Sequence, residues 1–315
     1  MTTVADGLFQ YGGQPVGGSL ITQKLFSTPV GTPEAKGRAW FVDPNSGVNG
    51  DGTTPATAFS TMDRAFDSLA SGDIIYFVGK VTEQLVTPVQ VFDVTVVGCG
   101  NRPRHADATP AGGNWAAATW AAPASPTAGQ ALVRVLQQGW RFVNILFAGS
   151  AGCASIELVR NAAADDDERD ASHAEILGCR FAGVASTDSG IKFGATSFTE
   201  IVNNVLIEGN DFQNCANAIK EQSAGLQYRA QIRNNTFISN TNDIVLGGYF
   251  THVIGNVMSL APTGCILLSG ATGSSQVHGN YLPGTYADGT LYAPGTGDNW
   301  NGNYASTGVT AAVPA

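Results

Sequence analysis

Three groups of side chains in this chain have types and spacings that chemistry could use. In DPNSGVNGD the oxygen-bearing Asp43, Asn45, Asn49 and Asp51 fall at alternating positions of a turn-rich loop, a pattern that can hold Ca2+. A helix-flanked calcium loop would place a bidentate Glu at its last ligand position, where this chain has Thr54, and Asx-turns use the same residues without metal. The expectation is no cofactor, with Ca2+ as the alternative. Cleavage of a sugar chain needs two carboxyl groups facing one cleft. Glu208, Arg233 and His278 supply one acid, one base and one His at separate points, and Glu200, Lys220, Glu221, Arg229 and Asp243 sit in segments whose mutual placement the sequence leaves open. His105, His173, His252 and His278 follow no metal-ligand spacing. No catalytic residue is assigned from these positions. The third group is aromatic: Trp115, Trp120, Trp140, Tyr228, Tyr249, Phe250, Tyr281, Tyr286 and Trp300 stand at expected loops or strand ends. Aromatic platforms serve a glycan by stacking or a second subunit by burial, and Trp115, Trp120, Tyr249, Tyr281 and Tyr286 are the candidate contacts for either.

The element that must position all of these is a repeat. VLIEGNDF, AQIRNNTF, HVIGNVM, QVHGNYL and DNWNGNY each end an alternating apolar segment in an Asn, at Asn210, Asn235, Asn256, Asn280 and Asn303. The spacing, a little over twenty residues each time, is that of a solenoid. A second apolar phrase follows most of these Asn at a near-constant offset, with Ile219, Ile244 and Ile266 at its centre, so two short strands per turn are expected. EILGCRF matches the phrase with Cys179 in the Asn slot. The stacked Asn side chains are expected to hydrogen-bond along the axis as a structural ladder, at turns that ask for the left-handed backbone Asn tolerates. If Ile176, Ile207, Ile232, Val253 and Val277 point inward, then Leu177, Glu208, Arg233, Ile254 and His278 point outward, and Glu208 and Arg233 meet one coil apart as a surface ion pair.

Composition agrees with strands joined by tight turns: 39 of 315 residues are Gly and only 13% are charged. A net charge of −9 argues against nucleic-acid binding, and no apolar run is long enough for a membrane span. The start MTTVADGLFQYGG lacks the regions of a signal peptide, so synthesis in a cytoplasm is expected. The five Cys lie in or beside apolar segments with no CxxC, which predicts buried free thiols.

Residues 1–38 stand outside the repeat. They are rich in Gly and Pro but carry Leu8, Phe9, Tyr11, Leu20, Ile21, Leu25 and Phe26, too apolar for a disordered tail, and are expected to form an extended arm that orders on a partner. From residue 39 a strand, a turn-rich loop and a short helix follow. Ser60 or Thr61 caps that helix, whose Met62, Ala65, Phe66 and Leu69 share one face, and it is expected to cap the open end of the solenoid over about 60–71. The repeat shaft runs over about 73–304 within a domain of residues 39–315. Two stretches break the rhythm: 101–130, with Trp115 and Trp120, and 161–173, with its run of acids. ASTGVTAAVPA is expected to form a thin tail, without room for a separate trimerisation domain.

The string VDPNSGVNGDGTTPATAFSTMDRAFDSLASGDIIYFVGK resembles the leading segment of right-handed parallel β-helix proteins of the pectate-lyase-like superfamily, phage virion proteins among them, and with the later coils the resemblance covers roughly 39–304. It implies an all-β, single-stranded right-handed parallel β-helix. It also implies homotrimers, as in phage spikes, and a virion location after assembly in a host cytoplasm. The expected function is a non-enzymatic virion protein, a capsid decoration or cement-type spike whose residues 1–38 hold the major capsid protein or another virion protein. The alternative is a tailspike-like protein that binds or depolymerises host-surface polysaccharide, as a lyase or glycoside hydrolase. Fold alone does not choose between them.

Overall fold

A computed structural model describes residues 10–11, 14–15, 37–46, 49–100, 118–150, 152–161, 169–183, 188–195, 200–223, 225–259, 261, 263–268, 274–285, 289–305 and 308–309. From Ala39 onward the chain winds as a right-handed parallel β-helix. Each complete coil has three short strands, one more than the phrase spacing suggests. The Asn phrase itself spans two of them, because it crosses a corner: Leu206–Glu208 lies before Asn210 and Asp211–Gln213 after it. Ile219 belongs to the third strand, Asn217–Glu221.

Stacking of coils gives three long sheets of nine, ten and eight described strands. The first sheet runs from Ala39–Val42 to Gln276–His278, the second from Lys80–Val81 to Gly308–Val309, and the third from Leu85–Val86 to Tyr292–Ala293. Register is fixed by the apolar column of each sheet, since a one-residue slip would turn that column outward. In the first sheet Ile176, Ile207, Ile232, Val253 and Val277 pair in sequence, all buried. In the third, Ile156, Ile191, Ile219, Ile244 and Ile266 do the same. The second sheet's column is aromatic: Phe147, Phe181, Phe212 and Phe237 stack with ring centroids 5.1, 4.7 and 5.0 Å apart and planes within 8° of parallel.

Trp120 continues that column. The strand Thr119–Ala121 pairs with Leu146–Ala148, placing Trp120 beside Phe147, and its indole N–H donates to the carbonyl of Glu83. It is fully buried, so the expectation of a glycan or subunit contact at Trp120 is corrected: the repeat resumes by Ala118, and an inward slot in a strand takes the ring. Trp140 and Trp300 are buried as well, and of the predicted break at 101–130 only 101–117 lies outside the described residues.

The helix is Met62–Asp67, with Thr61 as its N-cap accepting from the Arg64 N–H, and Met62, Ala65 and Phe66 buried against the first coil. A second cap comes from a distant residue: the Glu83 carboxylate accepts from the Met62 and Asp63 N–H groups at 3.0 and 2.7 Å. The carboxylate thus meets both orphan donors and the positive end of the peptide dipoles. At the other end, Gly308–Val309 turns back antiparallel onto Tyr304–Ala305, which blunts an open parallel edge. Among the expected anchoring residues, Leu8, Phe9, Leu20, Ile21, Leu25 and Phe26 lie outside the described residues. Tyr11 falls on Gln10–Tyr11, which pairs antiparallel with Gln14–Pro15.

Candidate functional site

The Asn column runs along the corner between the first and second sheets. The Oδ1 of Asn235 accepts from both the backbone N–H and the Nδ2 of Asn210, at 2.9 and 3.0 Å. Asn256, Asn280 and Asn303 repeat this toward the preceding rung. Each Nδ2 also donates to a carbonyl, of Ile176, Ile207, Ile232, Val253 and Val277 in turn, at 2.8 to 3.0 Å. Every inner amide therefore uses all its hydrogen-bonding capacity while fully buried. The column begins at Cys179, whose N–H donates to Asn210 Oδ1 while its thiol sits against the Phe142 carbonyl. The left-handed backbone expected at these Asn belongs instead to the residue before each: Gly178, Gly209, Asn234, Gly255, Gly279 and Gly302. The corner turns on that residue, which frees the next side chain to point inward. A shorter copy stands at the second corner, where the Cys215 N–H donates to Asn240 Oδ1 after the left-handed Asn214 and Ser239.

The calcium candidates serve as turn acceptors. Asp43 accepts from the Asn45 N–H, Asn49 from Ser60, and Asp51 from the Thr53 N–H and the Thr53 and Thr57 hydroxyls. The Thr57 and Thr53 bonds hold the Asp51 carboxyl down at about 2. Among the described residues no three acidic, His or Cys side chains gather as metal ligands.

On the outer faces, acids meet bases in register. Glu208 and Arg233 face one another across Leu206–Glu208 and Gln231–Arg233 with oxygen and nitrogen 3.0 Å apart. Arg141 and Glu175, one coil apart at the other outward position of the same sheet, are also 3.0 Å apart. On the third sheet Glu157 is buried between Arg134 and Lys192 on the flanking coils, 2.7 Å from each. Glu221, the last residue of Asn217–Glu221, and Asp243, within Asn242–Val245, are both buried. The Glu221 carboxylate accepts from the Gly225 and Gly247 N–H groups, yet burial pushes it up to about 7. Asp243 accepts from Asn240 Nδ2, and burial pushes it up to about 8. The thiols follow the same cause: burial pushes Cys179 up to about 12 and Cys99 and Cys153 to about 11, and all five are free.

The third corner forms a groove. There Val202–Asn203 pairs with Gln227–Tyr228, and Tyr228 bridges to Tyr249, adding a narrow parallel ladder that ends at left-handed residues. These are Asn204, Arg229 and Phe250, with φ of 54, 57 and 54°. A bulky side chain in this region stores strain on the order of 1–3 kcal/mol, which the flanking ladder holds in place. The next residue of each coil turns inward at Val205, Ala230 and Thr251, and the one after points out at Leu206, Gln231 and His252. Asn204, Arg229, Gln231, Phe250 and His252 line a shallow groove of about 220 Å³. The Arg229 guanidinium lies 4.9 Å over the Tyr228 ring, and Phe250 meets that ring edge-on at 5.4 Å. Burial, aided by the charge of His278, lowers the pKa of His252. Aromatic faces beside a guanidinium and two amides suit a polar ring ligand; among the described residues no carboxyl group lines the groove to act as acid or nucleophile. Tyr228, Arg229, Phe250 and His252 were visible as types beforehand, and their convergence came from the positive-φ column, which alternation along the strands does not reveal.

Of the remaining aromatic candidates, Tyr249 is half-buried beside this ladder, and Tyr281 is exposed in register with Val257 and Tyr304 on the second sheet. Trp115 and Tyr286 lie outside the described residues.

No protein-family profile matches the chain, and no curated protein matches it in sequence. Among solved structures the chain is similar to a pectin methylesterase from Aspergillus niger, at 16% identity and a TM-score of 0.45, covering 87% of this chain and 84% of that one. It is similar to the tailspike protein of E. coli bacteriophage HK620, at 12% identity and a TM-score of 0.41, over 85% of this chain and 53% of that one. It is also similar to a pectate lyase, at 11% identity and a TM-score of 0.40, over 87% and 82%. At such values the likeness is one of backbone path.

Proposed function

We propose that this protein is a non-enzymatic structural component of a virion, a capsid decoration or cement-type spike whose β-helix projects while residues 1–38 attach it to the major capsid protein or another virion protein. The observation that carries the reading is the pairing of outer-face acids. Glu157, Glu175 and Glu208, which a sugar-cleaving face would need free, are each held by a base in register, so the shaft's charges serve its stacking. The resemblance of the leading segment to phage β-helix proteins, and an interior built for rigidity, support the same role. The test is removal of residues 1–36. Truncation stops there because the Arg38 N–H donates to Asp73 and Gly37 sits against the Gly72 carbonyl, where no Cβ fits. The truncated protein is expected to keep its strand circular dichroism and lose co-sedimentation with particles; particles decorated as well as by the full chain would overturn the assignment.

A second reading, a tailspike-like receptor-binding protein, is favoured by the third-corner groove. In that reading Phe250, Tyr228 and Arg229 hold host-surface polysaccharide without cutting it. Glycan-array binding lost on Phe250→Ala and Arg229→Ala supports it, and an array silent for the folded full chain removes it.

A further inference from the structure

We propose that Asn301–Gly302 is a self-modification site, at which the Asn side chain converts to aspartate and isoaspartate without an enzyme. The chain has two Asn-Gly steps in its described residues, and the structure treats them oppositely. At Asn49–Gly50 the Gly50 N–H donates to the Ala58 carbonyl, the Asn49 Oδ1 accepts from Ser60, and the Gly50 α-carbon lies against the Thr57 backbone. The nitrogen and the side chain that would have to meet are both tied elsewhere. At Asn301–Gly302 the Asn side chain is exposed in a turn, Gly302 is left-handed at φ 73°, and nothing stands within 4 Å of where its Cβ would be. Gly302 is held through its carbonyl, which accepts from Gly279 at 3.1 Å, and its N–H has no hydrogen-bond acceptor among the described residues.

The step balances without a redox partner. The Gly302 backbone nitrogen attacks Asn301 Cγ and forms the new N–C bond. The Cγ–NH2 bond breaks, and ammonia leaves with the proton taken from the attacking nitrogen. Water then opens the five-membered imide at either carbonyl. One opening gives an ordinary aspartate; the other routes the main chain through the side-chain carbon, lengthening it by one methylene.

The position gives the change a consequence. Asn303, the last rung of the ladder, accepts from Asn280 and donates to the Trp300 carbonyl, so residues 300–303 form one closed corner. An added methylene at 301 moves Asn303 out of register, and an added negative charge enters a chain already at −9. The last coil would then loosen with age while the inner rungs keep theirs.

The experiment is incubation of the full chain at mildly alkaline pH, followed by peptide mass mapping with isoaspartate detection. The peptide holding Asn301 is expected to gain the amide-to-acid mass shift at least about tenfold faster than the one holding Asn49, a ratio equal to about 1.4 kcal/mol of barrier. Asn301→Gln is expected to abolish the shift and keep the unaged circular dichroism. Equal rates at the two sites, or conversion at Asn49 alone, would overturn the proposal.

Discussion

The ladder Asn are the residues on which the shaft's register rests, and one of them suffices to test that. Asn256→Ala leaves the Asn235 N–H and amide without their acceptor and strips the Ile232 carbonyl of a donor, all in a dry corner. Buried polar groups left alone cost about 1–3 kcal/mol each, so the loss is expected to exceed 3 kcal/mol. Chemical denaturation checks the size, and hydrogen exchange should show the damage centred on the coils holding Asn235 and Asn280; an effect below about 1 kcal/mol would remove the ladder from the account. The two raised carboxyls make a separate prediction at the same scale. Asp243 and Glu221 bind their protons more tightly folded than unfolded, so they bear no penalty below the ordinary carboxyl range. Stability is lost as pH climbs from about 4 toward about 7 to 8, where both ionise in the fold. Asp243→Asn keeps the Asn240 contact and should flatten that decline. Denaturation midpoints at pH 5 and pH 8 test it, and a variant with the same slope as the parent would contradict the assignment.

At the scale of elements, the helix over the first coil depends on a partner outside itself. Helix Met62–Asp67 is too short to persist alone, and Glu83 supplies a cap that no local pattern announces. Glu83→Ala is expected to cost about 1–2 kcal/mol and to expose the helix and leading strand to protease before the shaft. Uniform loss along the shaft would argue that the cap and coils unfold together. The helix was legible because its apolar face repeats at helical spacing and Thr61 precedes it. Likewise the strand after Gly72 was legible as an apolar run. The three-strand coil was not, because the corner between the first two strands is a two-residue step, Gly-Asn in most coils, that interrupts neither apolar alternation nor phrase. The Phe column shows what was missed: Phe181, Phe212 and Phe237 each stand two residues beyond the Cys or Asn of the phrase, a regularity carried by the second strand. Trp120 was misplaced for a related reason, since Ala and Gly around it read as loop where small residues flank a buried strand.

For the molecule as a whole, fold was readable from periodicity while the groove was not, because its residues come from three coils and meet only through the positive-φ column of Asn204, Arg229 and Phe250. The shaft's stability should behave as a sum of neighbouring coils. Phe212→Ala, at the centre of the aromatic stack, is expected to cost about 3–5 kcal/mol and to broaden the unfolding transition, as a break between two half-shafts would. Calorimetry checks this, and a single sharp transition shifted as a block would contradict nearest-neighbour behaviour. The central claim is that the outer faces hold and do not cut. The most direct measurement is incubation of the full chain with host-surface polysaccharides, followed by chain length and new reducing or unsaturated ends. The account predicts unchanged chain length over long incubation. Shortened chains, with activity lost in Glu157→Gln, Glu175→Gln or Glu208→Gln, would contradict it.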